Sequence, residues 1–394
     1  MISSTRPFVL HTRVVTGVGG GPEKTILNSP RFLNHAGYDS ACLFMKPPGD
    51  PGFESLTGRA ATAGAEIIEV DDSGPFDHNV IRQSLQVCRE RNVRVWHAHD
   101  YKSNALGLLL NWFHPMTLVT TAHGWGMMAD RNPLHYRIDQ FCLKRYARVL
   151  CVSPDLLEAC GNLRLPKERL SLVDNAIIAD DYDPSPSTSA ERQTLGFCGD
   201  EILLGAVGRL VEEKGFINLI QAVSELVKQG YNIGLIIAGD GELRGALQQS
   251  IDSLGLTQRV RLAGFLEDPR ELYRAVNIYV LSSISEGLPN VVLEAMASGR
   301  AVVATRINGV PRLIEDGING LIVEPNSVDA LRQGITRLLE NQSLRDEIGL
   351  AGRLTVERQF SFSHRMRQVV RIYEQLGHHG VLTSQKHVDR RQTV

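Results

Sequence analysis

Short apolar runs alternate along the chain with longer stretches in which apolar residues recur every three or four positions. The short runs predict buried strands, and the longer stretches predict amphipathic helices. Strands are expected at 8–14, 41–45, 66–70, 93–100, 117–123, 149–153, 170–177, 202–208, 233–239 and 260–266. Helices are expected at 79–91, 134–148, 216–229, 242–254, 290–298, 327–340, 343–359 and 362–376, and another is expected to end near Gly37. The stretch 282–325 is expected to form a loop, a helix, a strand, a loop, a helix, a loop and a strand in that order. This alternation favours parallel sheets with helices packed on them, an α/β fold.

The length of 394 residues suits two domains, each with a hydrophobic core of its own. A cluster of proline, serine and aspartate marks a linker, so the first domain is expected over 1–183 and the second over 184–361. A last helix over 362–376 follows, and the polar residues 377–394 are expected to be disordered. Inside the linker, Asp181-Tyr-Asp183 spells D-x-D, but its Pro/Ser surroundings favour coincidence over a metal-holding motif.

The composition is that of a globular protein, with 43% hydrophobic and 22% charged residues. A net charge of -2 argues against a general nucleic-acid-binding surface, so any anion site must be local. Six scattered cysteines predict reduced thiols, and the lack of a signal peptide or a long apolar segment predicts a cytoplasmic protein. The basic and apolar helix at 134–148 leaves peripheral contact with the inner membrane surface open, although a solvated helix face is the simpler interpretation.

Two glutamates frame the most informative stretch of the chain. Pro289 favours a helix that starts there or at Asn290, so Glu286 precedes the helix and Glu294 lies one turn inside it. The first amides of the helix, including that of Val291, fall between the two carboxylates, because each helical residue rises about 1.5 Å. Helix N-termini bind anions, so one ligand could meet a hydrogen-bond acceptor, an anion site and a second acceptor in turn. A sugar, a diphosphate and a ribose fit that order.

This stretch resembles the E-x7-E signature of the retaining GT-B glycosyltransferases of family 4. The residues that carry the likeness are Glu286, Gly287, Pro289, the run 294–299 and the run Gly317-Ile-Asn-Gly-Leu. The resemblance implies a GT-B fold, in which two Rossmann-like parallel-sheet domains face a central cleft and the last helix crosses back to the first domain. It also implies that the second domain binds the donor: Glu294 holds the ribose, Glu286 reads the transferred sugar, and Leu288, Asn290 and Val291 line the site.

Two cations follow the strand expected at 202–208. In the sequence G-R-L-x-x-x-K-G, Arg209 and Lys214 stand at a strand end, where they can neutralise a diphosphate leaving group as a metal ion would. The alternative is that both pair with neighbouring surface glutamates. The motif resembles the family's diphosphate site, and the same likeness implies that Gly239 lets the donor approach closely and that the backbone at Phe265–Leu266 meets the nucleotide base.

Histidines and a glycine-rich loop are the candidates in the first half. Gly19 and Gly20 precede a helix, which is a weak phosphate-binding signal, and their loop resembles the family's G-G-x-E loop with one extra glycine and a proline. His123 ends an apolar strand, and the resemblance implies that it approaches the donor sugar; a structural role is the alternative. His97 and His99 share one strand face and Asp100 follows them, but without a third ligand at suitable spacing we expect no metal site.

The resemblance thus implies a metal-independent hexosyltransferase that needs no cofactor. Its donor would be a nucleotide-diphosphate sugar, with UDP favoured over GDP, and its acceptor a saccharide or lipid-linked saccharide in exopolysaccharide or other cell-surface polysaccharide biosynthesis. The expected catalytic residues are His123, Glu286, Arg209 and Lys214. No residue is a candidate nucleophile, so front-face attack fits better than a two-step route. Two alternatives stay open: a sugar-nucleotide epimerase of GT-B fold, and a sugar-nucleotide-binding partner without activity. No oligomeric state is predicted.

Overall fold

The computed structural model describes residues 6–74, 77–123, 133–197, 199–266 and 268–388. The strands are β1 (Phe8–Val14), β2 (Asp39–Lys46), β3 (Ile67–Asp71), β4 (Val93–Ala98), β5 (Thr117–Ala122), β6 (Arg148–Cys151), β7 (Leu170–Leu172), β8 (Ile202–Val207), β9 (Ile233–Ala238), β10 (Val260–Gly264), β11 (Ile278–Leu281), β12 (Ala301–Thr305) and β13 (Leu321–Val323). The helices are α1 (Gly21–His35), α2 (Phe53–Ala63), α3 (His78–Glu90), α4 (Tyr101–Leu110), α5 (Pro133–Leu143), α6 (Pro154–Asn162), α7 (Ser189–Thr194), α8 (Phe216–Lys228), α9 (Arg244–Ser253), α10 (Arg270–Ala275), α11 (Asn290–Ala297), α12 (Val310–Leu313), α13 (Val328–Leu339), α14 (Gln342–Gln359) and α15 (Phe362–Val388).

The chain forms two compact units. Unit 1 comprises the chain as far as Asn175 together with the segment from Arg365 onward, and unit 2 comprises Ala176–His364. Each unit contains one parallel sheet, seven-stranded in unit 1 with the order β3-β2-β1-β4-β5-β6-β7 and six-stranded in unit 2 with the order β10-β9-β8-β11-β12-β13. Both sheets confirm the predicted α/β class with two Rossmann-like halves.

The middle of β2 and the whole of β9 are apolar without interruption, as is typical of parallel strands that helices cover on both faces. In unit 1, all residues from Ala41 to Met45 of β2 are fully buried. In unit 2, every residue of β9 is buried in the same way. Parallel strands leave their carboxyl ends at one edge of the sheet, and open α/β folds bind ligands along that edge. The loops after β1, β4 and β5 in unit 1, and after β8, β9 and β11 in unit 2, are therefore the places to look for chemistry.

The structure differs from the sequence-based expectations at several boundaries. Unit 2 begins at Ala176, earlier than the 183/184 boundary expected, because Ile177 and Ala179, and Tyr182 of the supposed linker, are buried in its core. Helix α5 ends at Leu143 and not near 148, because the chain turns to join the sheet, where the Ala147 amide donates to Leu118 O.

Further elements were longer than expected or were missed. Helix α15 runs through Val388, past the end expected at 376, and residues 389–394 of the expected tail lie outside the described part of the chain. Helices α2, α4, α6, α7 and α10 and strand β11 were not predicted. Among the described residues, no helix is both long and apolar enough to cross a membrane.

Candidate active site

An ion pair joins two strand-end loops of unit 2, the loop after β8 and the loop after β11. The Lys214 ammonium contacts the Glu286 carboxylate, and the Ser283 hydroxyl donates to Glu286 Oε1 at 3.1 Å. The Ser282 hydroxyl donates to Lys214 O at 2.8 Å. Gly215, with φ +62°, closes this contact, because a Cβ there would lie 2.2 Å from the Ser282 carbonyl oxygen. With side chains 17% and 18% exposed, Lys214 and Glu286 remain accessible to a ligand.

Glu294 lies one turn inside α11, and two tyrosines hold its carboxylate. Tyr273 donates its hydroxyl to Glu294 Oε2 at 2.7 Å, and the Tyr182 hydroxyl also hydrogen-bonds Glu294. Burial and the Glu294 charge raise the pKa of both tyrosines well above the usual value, so both stay protonated and donate. A carboxylate can accept about four hydrogen bonds, and these two tyrosines supply two of them.

The N-terminus of α11 begins between the two glutamates. Pro289 occupies the N-cap, and the helix starts at Asn290 as predicted. The amide of Val292 donates to Pro289 O at 3.1 Å, whereas the amides of Asn290 and Val291 make no backbone hydrogen bond within the described part of the chain. The side-chain Oδ1 of Asn290 is buried and lacks a partner within the described structure. This turn therefore offers two backbone donors and one acceptor to a ligand.

The remaining residues of unit 2 divide into exposed groups and packing groups. Arg209 is exposed, and its side chain makes no ion pair with any described residue. Phe265 is 61% exposed, whereas Leu266 and Leu288 pack against the core. Gly239 adopts φ +141°, and a Cβ there would lie 1.8 Å from the Gly208 oxygen. Packing alone therefore explains why the residue is a glycine.

Unit 1 brings four histidines together at its sheet edge. His11 on β1, His97 and His99 at the end of β4, and His123 after β5 come from adjacent strands. His11 Nδ1 lies 3.1 Å from His99 Nε2, and His99 Nδ1 lies 3.0 Å from His123 Nε2. His97 stacks on His99 at 4.5 Å, and its two nitrogens bond the hydroxyls of Tyr373 (2.6 Å) and Thr121 (2.8 Å).

Burial keeps these imidazoles uncharged. Burial, followed by the Arg365 cation, lowers the pKa of His11 to about 3. Burial also lowers the pKa of His97, His99 and His123 well below the usual value, with neighbouring histidines and arginines as further causes. Arg365 on α15 is itself buried and donates to Val173 O and Asp174 O.

The histidines also raise the question of a metal. Ring nitrogens of His11, His97 and His99 lie within 4.8 Å of one another, so the structure supplies the third ligand that sequence reasoning could not find. Asp100, the other candidate ligand, instead caps α4 and accepts from the Val14 amide at 2.7 Å. Both nitrogens of His97 already make hydrogen bonds to hydroxyls, so a metal ion at this cluster would have to displace one of those bonds.

The glycine-rich loop is fastened by Glu23. Its Oε2 accepts from the Gly20 amide at 2.6 Å, and its Oε1 pairs with Arg13 at 2.5 Å. Gly19 adopts φ +67°, a left-handed conformation that favours glycine. Arg13 also donates to His99 O at 2.9 Å, which joins the loop to the histidines. A cavity of about 290 Å³ opens beside them, and its lining includes Arg13, His99, Asp100, Asn104, His123 and Asp139.

Comparison with known proteins identifies the chain. Residues 187–355 match the family model described as glycosyl transferases group 1, and residues 19–181 match the model described as glycosyltransferase family 4. The chain is 30% identical to the alpha-D-kanosaminyltransferase of Streptomyces kanamyceticus over 76% of its own length and 81% of that protein. It belongs to the group 1, family 4 glycosyltransferases.

Other relatives of this glycosyltransferase agree in family and fold. The lipopolysaccharide core biosynthesis glycosyltransferase LpsD of Rhizobium meliloti is 29% identical over 88% of this chain and 92% of that protein. The crystal structure of Anabaena Alr3699/HepE in complex with UDP and glucose superimposes with a TM-score of 0.80 at 19% identity, and the match covers 94% of this chain and all of that one. With two all-parallel Rossmann-like sheets, the fold of the glycosyltransferase is GT-B.

The predicted site residues of the glycosyltransferase are thus placed in two groups. The structure joins Lys214 to Glu286 directly and places Asn290, Val291 and Glu294 on the helix that follows. In unit 1 it ties Gly20 through Glu23 and Arg13 to the backbone of His99, whose ring contacts His123.

Sequence reasoning missed residues that touch these groups. Tyr182 was dismissed with the D-x-D pattern, yet it hydrogen-bonds Glu294, while Asp183 pairs with Arg274 at 3.6 Å. An aromatic residue between the two aspartates of a polar linker was the available signal. His11 and Tyr273 gave no signal, because their partners are distant in sequence.

Proposed function

We propose that this glycosyltransferase is a retaining, metal-independent hexosyltransferase whose donor, a nucleotide-diphosphate sugar, binds to unit 2. The arrangement of Lys214, Glu286 and the α11 N-terminus carries the proposal. It offers an ammonium and two free amides to a diphosphate, a carboxylate to sugar hydroxyls, and a second carboxylate, Glu294, to a ribose. Arg209, exposed at the start of the same loop, would add a second cation to the diphosphate.

The chemistry follows from that arrangement. The bond between the anomeric carbon and the diphosphate oxygen breaks, and the acceptor oxygen bonds to the same face of the anomeric carbon. The acceptor proton passes to the departing phosphate oxygen, so no protein nucleophile is needed. Arg209, Lys214 and the two amides meet the negative charge that grows on the leaving group, and they stabilise the transition state more than the ground state.

The donor base and the acceptor are inferred from similar proteins. We favour UDP, because HepE, which has the same fold, was crystallised with UDP and glucose. Exposed Phe265, beside the backbone of Leu266, would meet the base. A saccharide or lipid-linked saccharide acceptor in cell-surface polysaccharide biosynthesis follows from relatives such as LpsD, whose name places it in lipopolysaccharide core biosynthesis. His123 would orient the transferred sugar.

We also propose that unit 1 contacts the cytoplasmic membrane surface peripherally. Helix α5 exposes Leu134 (63%) and Phe141 (54%), and the Arg145 guanidinium lies 3.5 Å from the Phe141 ring centroid. An apolar face flanked by arginines suits anionic lipid. Sedimentation with vesicles of anionic or zwitterionic lipid tests this, because binding only to the anionic vesicles, reduced in Phe141→Ser, is expected. Equal binding to both, or to neither, would refute it.

Calorimetric titration with UDP, GDP and ADP in the presence of a metal chelator tests the donor site. We expect one diphosphate, UDP, to bind, and Glu294→Ala to weaken it. Glu340→Ala is the matched control, because that carboxylate bonds Tyr231 far along the chain from the site. Failure of all three nucleotides to bind would refute the proposed site. Incubation with the sugar nucleotide alone tests the epimerase alternative, which would yield an epimer without releasing free diphosphate.

A further inference from the structure

Three histidines of unit 1, His11, His99 and His123, form a row of hydrogen-bonded rings, called the histidine row here. All hydrogen bonds in this row point the same way. His11 Nδ1 meets His99 Nε2 at 3.1 Å, and His99 Nδ1 meets His123 Nε2 at 3.0 Å. A neutral imidazole carries one N–H and one bare nitrogen, so it can donate on one side only. If His11 donates to His99, then His99 must donate to His123. The histidine row therefore has two states, which differ in the nitrogen that carries the proton on each of the three rings.

The two ends of the histidine row are not equivalent. At the inner end, His11 is 1% exposed and its Nε2 has no partner among the described residues. At the outer end, His123 is only half-buried, lines the 290 Å³ cavity, and uses Nε2 for its bond to His99. His123 Nδ1 makes no hydrogen bond to any described residue, so a ligand or water can pair with it whichever state the histidine row adopts. The inner end therefore decides the direction.

At the inner end the structure favours a bare nitrogen. An unpaired buried N–H is rarer in proteins than an unpaired acceptor, because the N–H loses more when it is removed from water without a partner. The charged group that acts on His11 is the buried Arg365 cation, which attracts a lone pair and repels an N–H. Near the outer end, the Arg13 cation also acts on His123, but its ion pair with Glu23 at 2.5 Å offsets part of its charge.

We infer that the buried histidines hold His123 as an Nδ1–H tautomer, so that it acts as a hydrogen-bond donor and not as a general base. His11 and His99 are then positioning residues: each donates from Nδ1 and fixes the tautomer of the next ring. His97 does not set the direction, because both its partners are hydroxyls, which either donate or accept.

The consequence for catalysis rests on the proposed function. A donor at His123 Nδ1 would bind an oxygen atom of the substrate, such as a sugar hydroxyl. It could not remove the acceptor proton, which leaves that proton to the departing phosphate oxygen. The tautomer itself depends on the geometry of unit 1 alone.

Nitrogen-15 NMR of the full chain labelled at histidine tests the tautomers directly. At pH 7 we expect His11, His99 and His123 as neutral Nδ1–H forms, assigned with single His→Gln variants. His114 is an internal reference for the opposite tautomer, Nε2–H, because its Nε2 lies 3.0 Å from Val93 O, which can only accept a hydrogen bond. In His99→Gln, the His123 signal should lose its pure Nδ1–H pattern. An Nε2–H or averaged pattern for His123 in the wild type would overturn the inference, as would a stoichiometric metal with metal-bound nitrogen shifts at His11, His97 and His99.

Two isosteric variants test the role in catalysis. The side-chain nitrogen of His123→Asn replaces the Nδ1–H donor, whereas His123→Asp offers only acceptors at the same size. With UDP-glucose and saccharide acceptors, we expect kcat of the asparagine variant to exceed that of the aspartate variant by about tenfold, the value of one lost hydrogen bond. Equal or higher activity of the aspartate variant, at a matched melting temperature, would overturn the donor role. If the wild type transfers no sugar, the proposed function fails while the NMR result still decides the tautomer.

Discussion

The carboxyl ends of the two sheets carry opposite kinds of chemistry. In unit 1, the strand-end groups are imidazoles that burial keeps uncharged and that hydrogen-bond one another. In unit 2, they are an ammonium paired with a carboxylate, an exposed guanidinium, and a buried carboxylate held by two tyrosines. Of the twelve histidines in the sequence, only His364 belongs to unit 2.

This difference shows how little of a site's chemistry the fold dictates. Both sheets place the ends of adjacent parallel strands side by side, and the residues after those strands decide the rest. Unit 2 combines fixed charge with free backbone donors, which suits an anion that carries hydroxyl groups. Unit 1 supplies uncharged imidazoles beside the Arg13–Glu23 ion pair, in which the two charges offset each other, and this suits a polar but uncharged group. The predictions below test this contrast.

Acidification should separate the two units, and this is the largest effect we expect. A histidine with a native pKa of about 3 and an unfolded value of 6.5 makes a contribution to stability that is complete above pH 6.5 and is lost as the pH falls toward 3. His11 alone should cost unit 1 about 2 kcal/mol of unfolding free energy by pH 5. His97 and His99 act in the same direction.

The tryptophans make this measurement specific. All three, at positions 96, 112 and 125, belong to unit 1, so their fluorescence follows its unfolding alone, whereas far-UV circular dichroism follows both units. Thermal melts at pH 7 and pH 5 should show the fluorescence midpoint falling well below the second transition seen by circular dichroism. Midpoints that fall together would contradict the contrast between the units. His364→Gln should leave the pH response of the fluorescence midpoint unchanged.

Removing the charge of unit 2 should abolish most of the proposed transfer. Lys214→Ala deletes a cation from the leaving-group site and leaves Glu286 without its partner, so kcat should fall by about 100-fold to 1000-fold. Release of the nucleotide diphosphate measures it. Lys228→Ala, on the exposed last turn of α8, is the control and should keep wild-type activity. Loss of only a few-fold in Lys214→Ala would remove the charged site from the mechanism.

Removing one hydrogen bond from the Glu294 carboxylate should have a smaller effect, on the affinity for UDP. Tyr273→Phe removes the 2.7 Å hydrogen bond to Oε2 without emptying the core, and we expect UDP to bind about tenfold more weakly. The matched control is Tyr279→Phe, because Tyr279 is equally buried but its hydroxyl makes a longer bond of 3.5 Å to Val207 O. Similar affinities for the two variants in calorimetry would show that the tyrosine does not position Glu294.

Local patterns in the sequence were sufficient for the regular elements and for the unit 2 motif. Apolar runs such as Ile233–Ala238 lie between turn residues, and Pro289 marks the start of α11 correctly, because both depend on neighbours along the chain. The Glu286 and Glu294 spacing likewise spans one loop and one turn of helix. The pairing of Glu286 with Lys214 was not foreseen, although both residues were named.

Contacts between residues that are distant in sequence could not be predicted from local patterns. His11 and His99 are 88 positions apart, and only the adjacency of β1 and β4 brings their rings together. The Tyr273 contact with Glu294 depends on α10, a six-residue helix that no periodic pattern could reveal. The early boundary of unit 2 depends on a few apolar side chains in a stretch whose average composition is that of a linker.

The return of the segment from Arg365 to unit 1 has a consequence for the order of events during synthesis. Tyr373, which bonds His97, and Arg365, which donates to Val173 O and Asp174 O, leave the ribosome after all of unit 2. Domains generally fold as they emerge, with the N-terminal one first. Here the order is reversed: unit 2 can complete its core while unit 1 still lacks its last helix, so the half that is made first is the half that is finished last.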